Sequence, residues 1–193
     1  MILQPLKLGG SPYDIGLGLG RFGRDAVHRR LRPLPLWQSL AALAGSEAAR
    51  AMQAQVEADF PRIWEEFRGL ADGLALPVEE VFLWNCRGDF VRAQSVDGCT
   101  TVFGPCADGW LIAHNEDGLP SLDGACGLLE ATPAQGMAFT SFVYPGSIPG
   151  HTFAVNAAGL VSTVNNIRPT RIPAGLPRQV LARAVLELSL IHI

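Results

Sequence analysis

A glycine–cysteine junction lies near the middle of the chain, in Asp97-Gly98-Cys99-Thr100-Thr101. A cysteine acts as a nucleophile through its thiolate. Taken alone, a glycine before a cysteine reads as a turn entering a strand. The surroundings make Cys99 a candidate for chemistry: Asn85-Cys86-Arg87 stands upstream, His114-Asn115-Glu116-Asp117 downstream, and Asn165-Asn166 further on. Two other patterns carry less. Gly18-Leu19-Gly20-Arg21-Phe22-Gly23 matches GxGxxG, but a helix start rather than a strand precedes it, and residues 38–43 hold no acid for a ribose. It reads instead as a glycine-rich helix face suited to close packing. Cys86, Cys99, Cys106, Cys126 and His114 follow no common zinc spacing, so no metal is expected, and Cys86, Cys106 and Cys126 read as buried structural thiols. There is no GxSxG, and no motif surrounds His28, His151 or His192.

The elements that would position these residues fall into two halves. Residues 1–90 read as helical. Ser11-Pro12 with Asp14 opens a helix on which Ile15, Leu19, Phe22 and Ala26 share a face. His28-Arg29-Arg30-Leu31-Arg32 stands near its end as a solvated basic turn, and Pro33 and Pro35 stop it. A second helical run covers residues 47–74 through Met52, Val56, Phe60, Ile63, Phe67 and Leu70, broken or kinked at Pro61 and capped by Gly73. Pro77 starts a short helix toward Trp84. After Asp97 strands take over, at 100–103 and 110–113 around Asp108-Gly109, at 137–144, and in a hairpin of 152–155 and 160–164 around Asn156-Ala157-Ala158-Gly159. Residues 176–188 return to helix. Helices, then strands, then helix predict a layered α+β fold.

Composition bounds the rest. At 193 residues the chain makes about one domain. With 48% hydrophobic and 17% charged residues and a mean hydropathy of +0.21, it can build a core and is no disordered tail. Fifteen Lys and Arg against eighteen Asp and Glu disfavour nucleic acid as a partner. Without a secretory signal, a long apolar run or a CxxC pair, the chain reads as cytoplasmic with reduced thiols and no membrane partner.

In this order the blocks resemble the acyl-coenzyme A:6-aminopenicillanate (isopenicillin N) acyltransferase family of cysteine N-terminal nucleophile hydrolases. The resemblance runs through Gly10-Ser11-Pro12-Tyr13-Asp14-Ile15-Gly16, Glu65 to Gly73, Asn85-Cys86-Arg87, Asp97 to Thr101, Asn115 to Asp117, Asn156 to Leu160 and Pro173 to Pro177, up to about Glu187. It implies a partial αββα sandwich. Residues 1–98 would be a helical precursor segment that becomes the small subunit, and residues 99–193 the start of the catalytic core, truncated at the C-terminus. On the residues alone, Ser189-Leu190-Ile191-His192-Ile193 ends the last helix without a capping glycine or polar exit, and the last few residues read as foreign.

The resemblance also implies an activity. The precursor would cut itself at Gly98–Cys99, with Gly98 tolerating a strained backbone and Thr101 assisting. The new N-terminal Cys99 would carry both nucleophile and base, because a free α-amine has a pKa of about 7.7–8.0. Asp117 would orient that amine and Asn165 would stabilise the oxyanion; on their own these two read as a turn residue and a strand-end cap. The reaction would be amide hydrolysis or acyl transfer on a small molecule through a Cys99 thioester, without a cofactor, coenzyme A thioesters serving at most as acyl donors. The two cleavage fragments would stay associated. Two positions depart from the pattern: Glu116 stands where many relatives carry an aromatic residue, and His114 replaces a Gln or Arg. An uncleaved, non-catalytic fragment or small-molecule binding module, and a zinc–thiol protein, are the alternatives.

Overall fold

The computed structural model describes residues 3–90, 98–166 and 175–189. Asp97, Pro173, Ala174 and the final Leu190 to Ile193 lie outside them. The chain opens on a strand, β1 (Gln4–Gly10), where a helical segment was expected. Leu6 and Leu8 are half-buried while Pro5 and Lys7 face out, a period-two pattern diluted by the proline and the glycine pair. Its position at the sheet edge is where Pro5 is tolerated.

Helix α1 (Pro12–Ala26) starts on a full capping box, the Ser11 hydroxyl accepting from the Asp14 N–H and the Asp14 carboxylate from the Ser11 N–H. It ends in a π-helical turn, Val27–Leu31. That turn is not merely solvated, because Arg30 donates to the carbonyls of Ser121 and Asp123. Pro35 does not only stop a helix. It opens α2 (Pro35–Ala41) from the first turn, where its missing N–H costs nothing. The break at Pro61 separates α3 (Glu47–Asp59) from α4 (Pro61–Leu74). α4 ends on Ala75 in the left-handed region, so Gly73 is not the cap. Helices α5 (Val78–Asn85) and α6 (Arg87–Phe90) follow.

Gly73 belongs to a seam between α1 and α4. A Cβ on Gly20 would stand 2.4 Å from the Leu70 carbonyl oxygen and 2.7 Å from the Gly73 Cα. The expected close-packing face is therefore real, and Gly16 and Gly69 extend it. Around it Trp64, Phe67 and Phe82 pack edge to face, and Trp37 stacks on Trp84 at 4.6 Å.

Strands β2 (Cys99–Cys106) and β3 (Gly109–Glu116) form the expected hairpin, with Gly109 at φ +135°. β4 (Gly127–Pro133) was not anticipated, since Gly, Ala and Pro hide its alternation. β5 (Phe139–Val143), β6 (Phe153–Asn156), β7 (Val161–Thr163) and α7 (Arg178–Val185) complete the chain. The main sheet runs β1-β4-β5-β6-β7; β1 pairs parallel to β4 and the other pairs are antiparallel. Leu129, Ser141 and Ala154 are cross-strand neighbours on one buried face of it. On the opposite face Thr140, Phe153, Val155, Val161 and Thr163 look toward the β2–β3 hairpin. The fold is α+β, as expected. Among the described residues no helix is long and apolar enough to cross a membrane.

Candidate functional site

Antiparallel register decides what Cys99 faces. Cys99 pairs with Glu116, Thr101 with His114, and Phe103 with Ile112. Cross-strand partners share a face, so these side chains all point toward the main sheet. Thr100, Val102, Leu111 and Asn115 fall on the other face, where Val102 is 61% and Leu111 55% exposed.

At the open end of the hairpin the inward face is polar. The Cys99 thiol donates to Glu116 Oε2 at 3.0 Å, and His114 Nε2 lies 3.2 Å from the same oxygen. The Tyr144 hydroxyl donates to Glu116 Oε1 at 2.9 Å. His114 Nδ1 lies 3.0 Å from Thr101 Oγ1, which donates to Asn165 Oδ1 at 2.9 Å and lies 3.2 Å from Thr163 Oγ1. Burial and the Glu116 carboxylate push the Cys99 thiol up to about 11, against a smaller opposite pull from the backbone N–H groups of Asp117 and Asn166. Burial and Glu116 likewise hold the Tyr144 phenol protonated well beyond the neutral range. Cys99 is therefore held as a thiol and a hydrogen-bond donor.

Toward the turn the same face becomes apolar. Phe103, Trp110, Ile112, Phe153 and Val161 line a cleft of about 560 Å³ that reaches His114. Phe103 stacks on Trp110 at 4.9 Å, and Trp110 remains 69% exposed.

The anticipated residues divide. Cys99, Thr101 and Asn165 come together in one hydrogen-bonded set. Asp117 meets the junction through its backbone, its N–H donating to the Gly98 carbonyl at 3.3 Å. Its carboxylate instead accepts from Asn115 Nδ2 at 2.8 Å. Among the described residues nothing stands within 4 Å of where a Cβ on Gly98 would be. Cys86 and Cys126 are buried, but Cys106, the last residue of β2 beside the hairpin turn, is exposed, against expectation.

Glu116, His114 and Tyr144 were not among the expected site residues. Parity names the first two once the turn at Asp108-Gly109 fixes the register; nothing local in the sequence points to Tyr144. The ligating atoms of Cys99, His114 and Glu116 lie within 4.8 Å of one another, a proximity that chain spacing does not reveal. Glu116 Oε2 is already shared by the thiol and the imidazole, so the set is satisfied as a hydrogen-bonded cluster.

Comparison with known proteins adds a family. The family model for acyl-coenzyme A:6-aminopenicillanic acid acyl-transferase matches residues 104–190. The chain is 27% identical over 207 aligned positions to a beta-alanyl-dopamine/carcinine hydrolase of Drosophila melanogaster, covering 93% of this chain and 53% of that protein. It is 28% identical over 142 positions to the 40 kDa form of an acyl-coenzyme A:6-aminopenicillanic-acid-acyltransferase of Emericella nidulans, covering 72% of this chain and 39% of that protein. The chain thus spans about half the length of the first relative and less of the second.

Proposed function

Because the chain belongs to the acyl-coenzyme A:6-aminopenicillanic acid acyltransferase family, we propose that it cuts its own backbone at Gly98–Cys99 and then uses Cys99 as an N-terminal nucleophile on amide-linked acyl groups. The observation that carries this reading is the cluster at the start of β2, where the thiol of the residue after Gly98 is bound into the Glu116, His114, Thr101 and Asn165 set.

In turnover the freed α-amine takes the thiol proton, and sulfur attacks the acyl carbonyl. The amine of the substrate departs and leaves a thioester on Cys99. Water then releases an acid, or a second amine takes the acyl group. One relative is named a hydrolase and the other an acyltransferase, and a common thioester accommodates both outcomes. Thr101 holds Asn165 Oδ1, which turns the donor end of that amide away from Thr101 and supports its role toward an oxyanion. Asp117, whose N–H meets the Gly98 carbonyl, is close to the amine that cleavage would free. No cofactor is needed; a coenzyme A thioester would enter as acyl donor. The apolar cleft beside His114 suits an acyl group with aromatic or aliphatic bulk.

The layering supports an αββα sandwich whose second sheet begins with β2 and β3. Contacts across the cut support fragments that stay together: β1 pairs with β4, and Glu66 on α4 pairs with Arg183 on α7 at 2.9 Å. Four unpaired thiols fit a reducing, cytoplasmic setting.

The test is acid-quench trapping. The full-length protein mixed with an N-acyl amine accumulates an acyl adduct on the fragment that begins at Cys99, and Cys99→Ala abolishes the adduct and the turnover. Turnover by Cys99→Ala overturns the reading, as does stoichiometric zinc on an uncut, inactive chain.

A further inference from the structure

Self-cleavage poses a problem that turnover does not. Before the cut, the Cys99 nitrogen is an amide and accepts no proton, so the base of the mature enzyme does not yet exist. The thiol is nevertheless hydrogen-bonded, and its partner is a carboxylate oxygen 3.0 Å away. Resting on the self-processing reading above, we infer that Glu116 is the catalytic base of the precursor, taking the Cys99 proton as sulfur attacks Gly98 and returning it to the departing nitrogen.

The surroundings select Glu116 over its neighbours. The Asp117 carboxylate accepts from Asn115, on the opposite parity of the strand. The two ring nitrogens of His114 face Glu116 and Thr101 rather than the sulfur. The Tyr144 hydroxyl donates to Oε1, His114 Nε2 lies 3.2 Å from Oε2, and the register places Glu116 directly across from Cys99, with its Oε2 3.0 Å from the sulfur.

The step balances. The S–H proton moves to Glu116 Oε2 while a C–S bond forms at the Gly98 carbonyl carbon. The carbonyl π pair moves onto oxygen, which faces the Asp117 N–H at 3.3 Å. When that pair returns, the C–N bond breaks and the nitrogen takes the proton from Glu116, leaving an amine and a thioester. Water adds to the thioester carbonyl, the C–S bond breaks, the sulfur regains a proton, and Gly98 ends as a carboxylate. The mature base is then in place, and Glu116 is no longer required to accept the thiol proton.

Charge and proton transfer make opposite predictions for Glu116→Gln. The carboxylate raises the Cys99 thiol, so removing its charge makes the sulfur more acidic. In the full-length protein, Glu116→Gln is expected to alkylate faster with iodoacetamide at pH 8 in the uncut state, yet to process at least about 100-fold more slowly. Processing as fast as or faster than the unaltered protein overturns the assignment.

A measurement on the unaltered protein does not depend on the variant folding. The titratable groups facing the pair are His114 and Tyr144, with Cys126 and Arg87 acting at longer range. With Glu116 as base the processing rate is flat from pH 7 to 9. A tenfold rise per pH unit, following the thiolate toward about 11, contradicts it. Failure of the unaltered full-length protein to cut at any pH would instead remove the self-processing reading itself.

Discussion

Burial, helped by the positive charges of Arg87 and Arg178, pushes the His151 imidazole down to about 3. The folded value lies below the unfolded value of 6.5, so the unfolded chain binds the extra proton between them. Stability is therefore full above about pH 6.5 and declines as pH falls toward 3, with a slope of at most about 1.4 kcal/mol per pH unit. Thermal melts at pH 7 and pH 5 are expected to differ more for the unaltered protein than for His151→Gln; equal shifts would contradict this. At the junction, no described residue stands near a Gly98 Cβ, so Gly98→Ala is expected to fold with an unchanged melting temperature; a loss of several degrees would contradict this. Cys99 stood out in the sequence as the proposed nucleophile because a Gly–Cys step sits where helical periodicity gives way to alternation. Glu116 was visible only as a departure from the family pattern. Its partnership with Cys99 depends on hairpin register, and its contact with Tyr144 depends on how the hairpin packs over the main sheet.

The α1–α4 seam carries the element-scale prediction. A Cβ on Gly69 would stand 2.0 Å from the Tyr13 carbonyl oxygen, and one on Gly16 the same distance from the Glu66 carbonyl. Helix propensity favours Ala over Gly by about 1 kcal/mol. The clash is with backbone, which yields only by separating the helices, so Gly69→Ala is expected to destabilise by about 3 kcal/mol or more in urea unfolding. A neutral or stabilising result would mean the helices do not approach this closely. Amphipathic helices were the most readable elements, since Val56, Ile63, Phe67 and Leu70 recur with helical spacing and are all buried. β1 and β4 escaped because Gly, Ala and Pro interrupt their alternation, and because they join each other only through a parallel pairing more than a hundred residues apart in sequence.

At the scale of the whole molecule, the two sides of the proposed cut are interlocked. Glu66 and Arg183 are both buried; burial raises the Glu66 carboxyl and Arg183 pulls it back. Arg183→Met strands that carboxyl and is expected to cost about 3–5 kcal/mol, much of it recovered in the Glu66→Gln/Arg183→Met double variant. Additive losses in urea titrations would contradict the pairing. After processing, fragments from either side of residue 98 are expected to co-elute in native gel filtration, held by β1 on β4 and by this pair. This interlocking was not legible in advance, because the first segment read as helices alone. The most direct test of the account is the denatured mass of the full-length protein after folding. It predicts two polypeptides, one ending at Gly98 and one beginning at Cys99, whose masses sum to the uncut chain plus one water. A single uncut mass from protein that turns over substrate would contradict it.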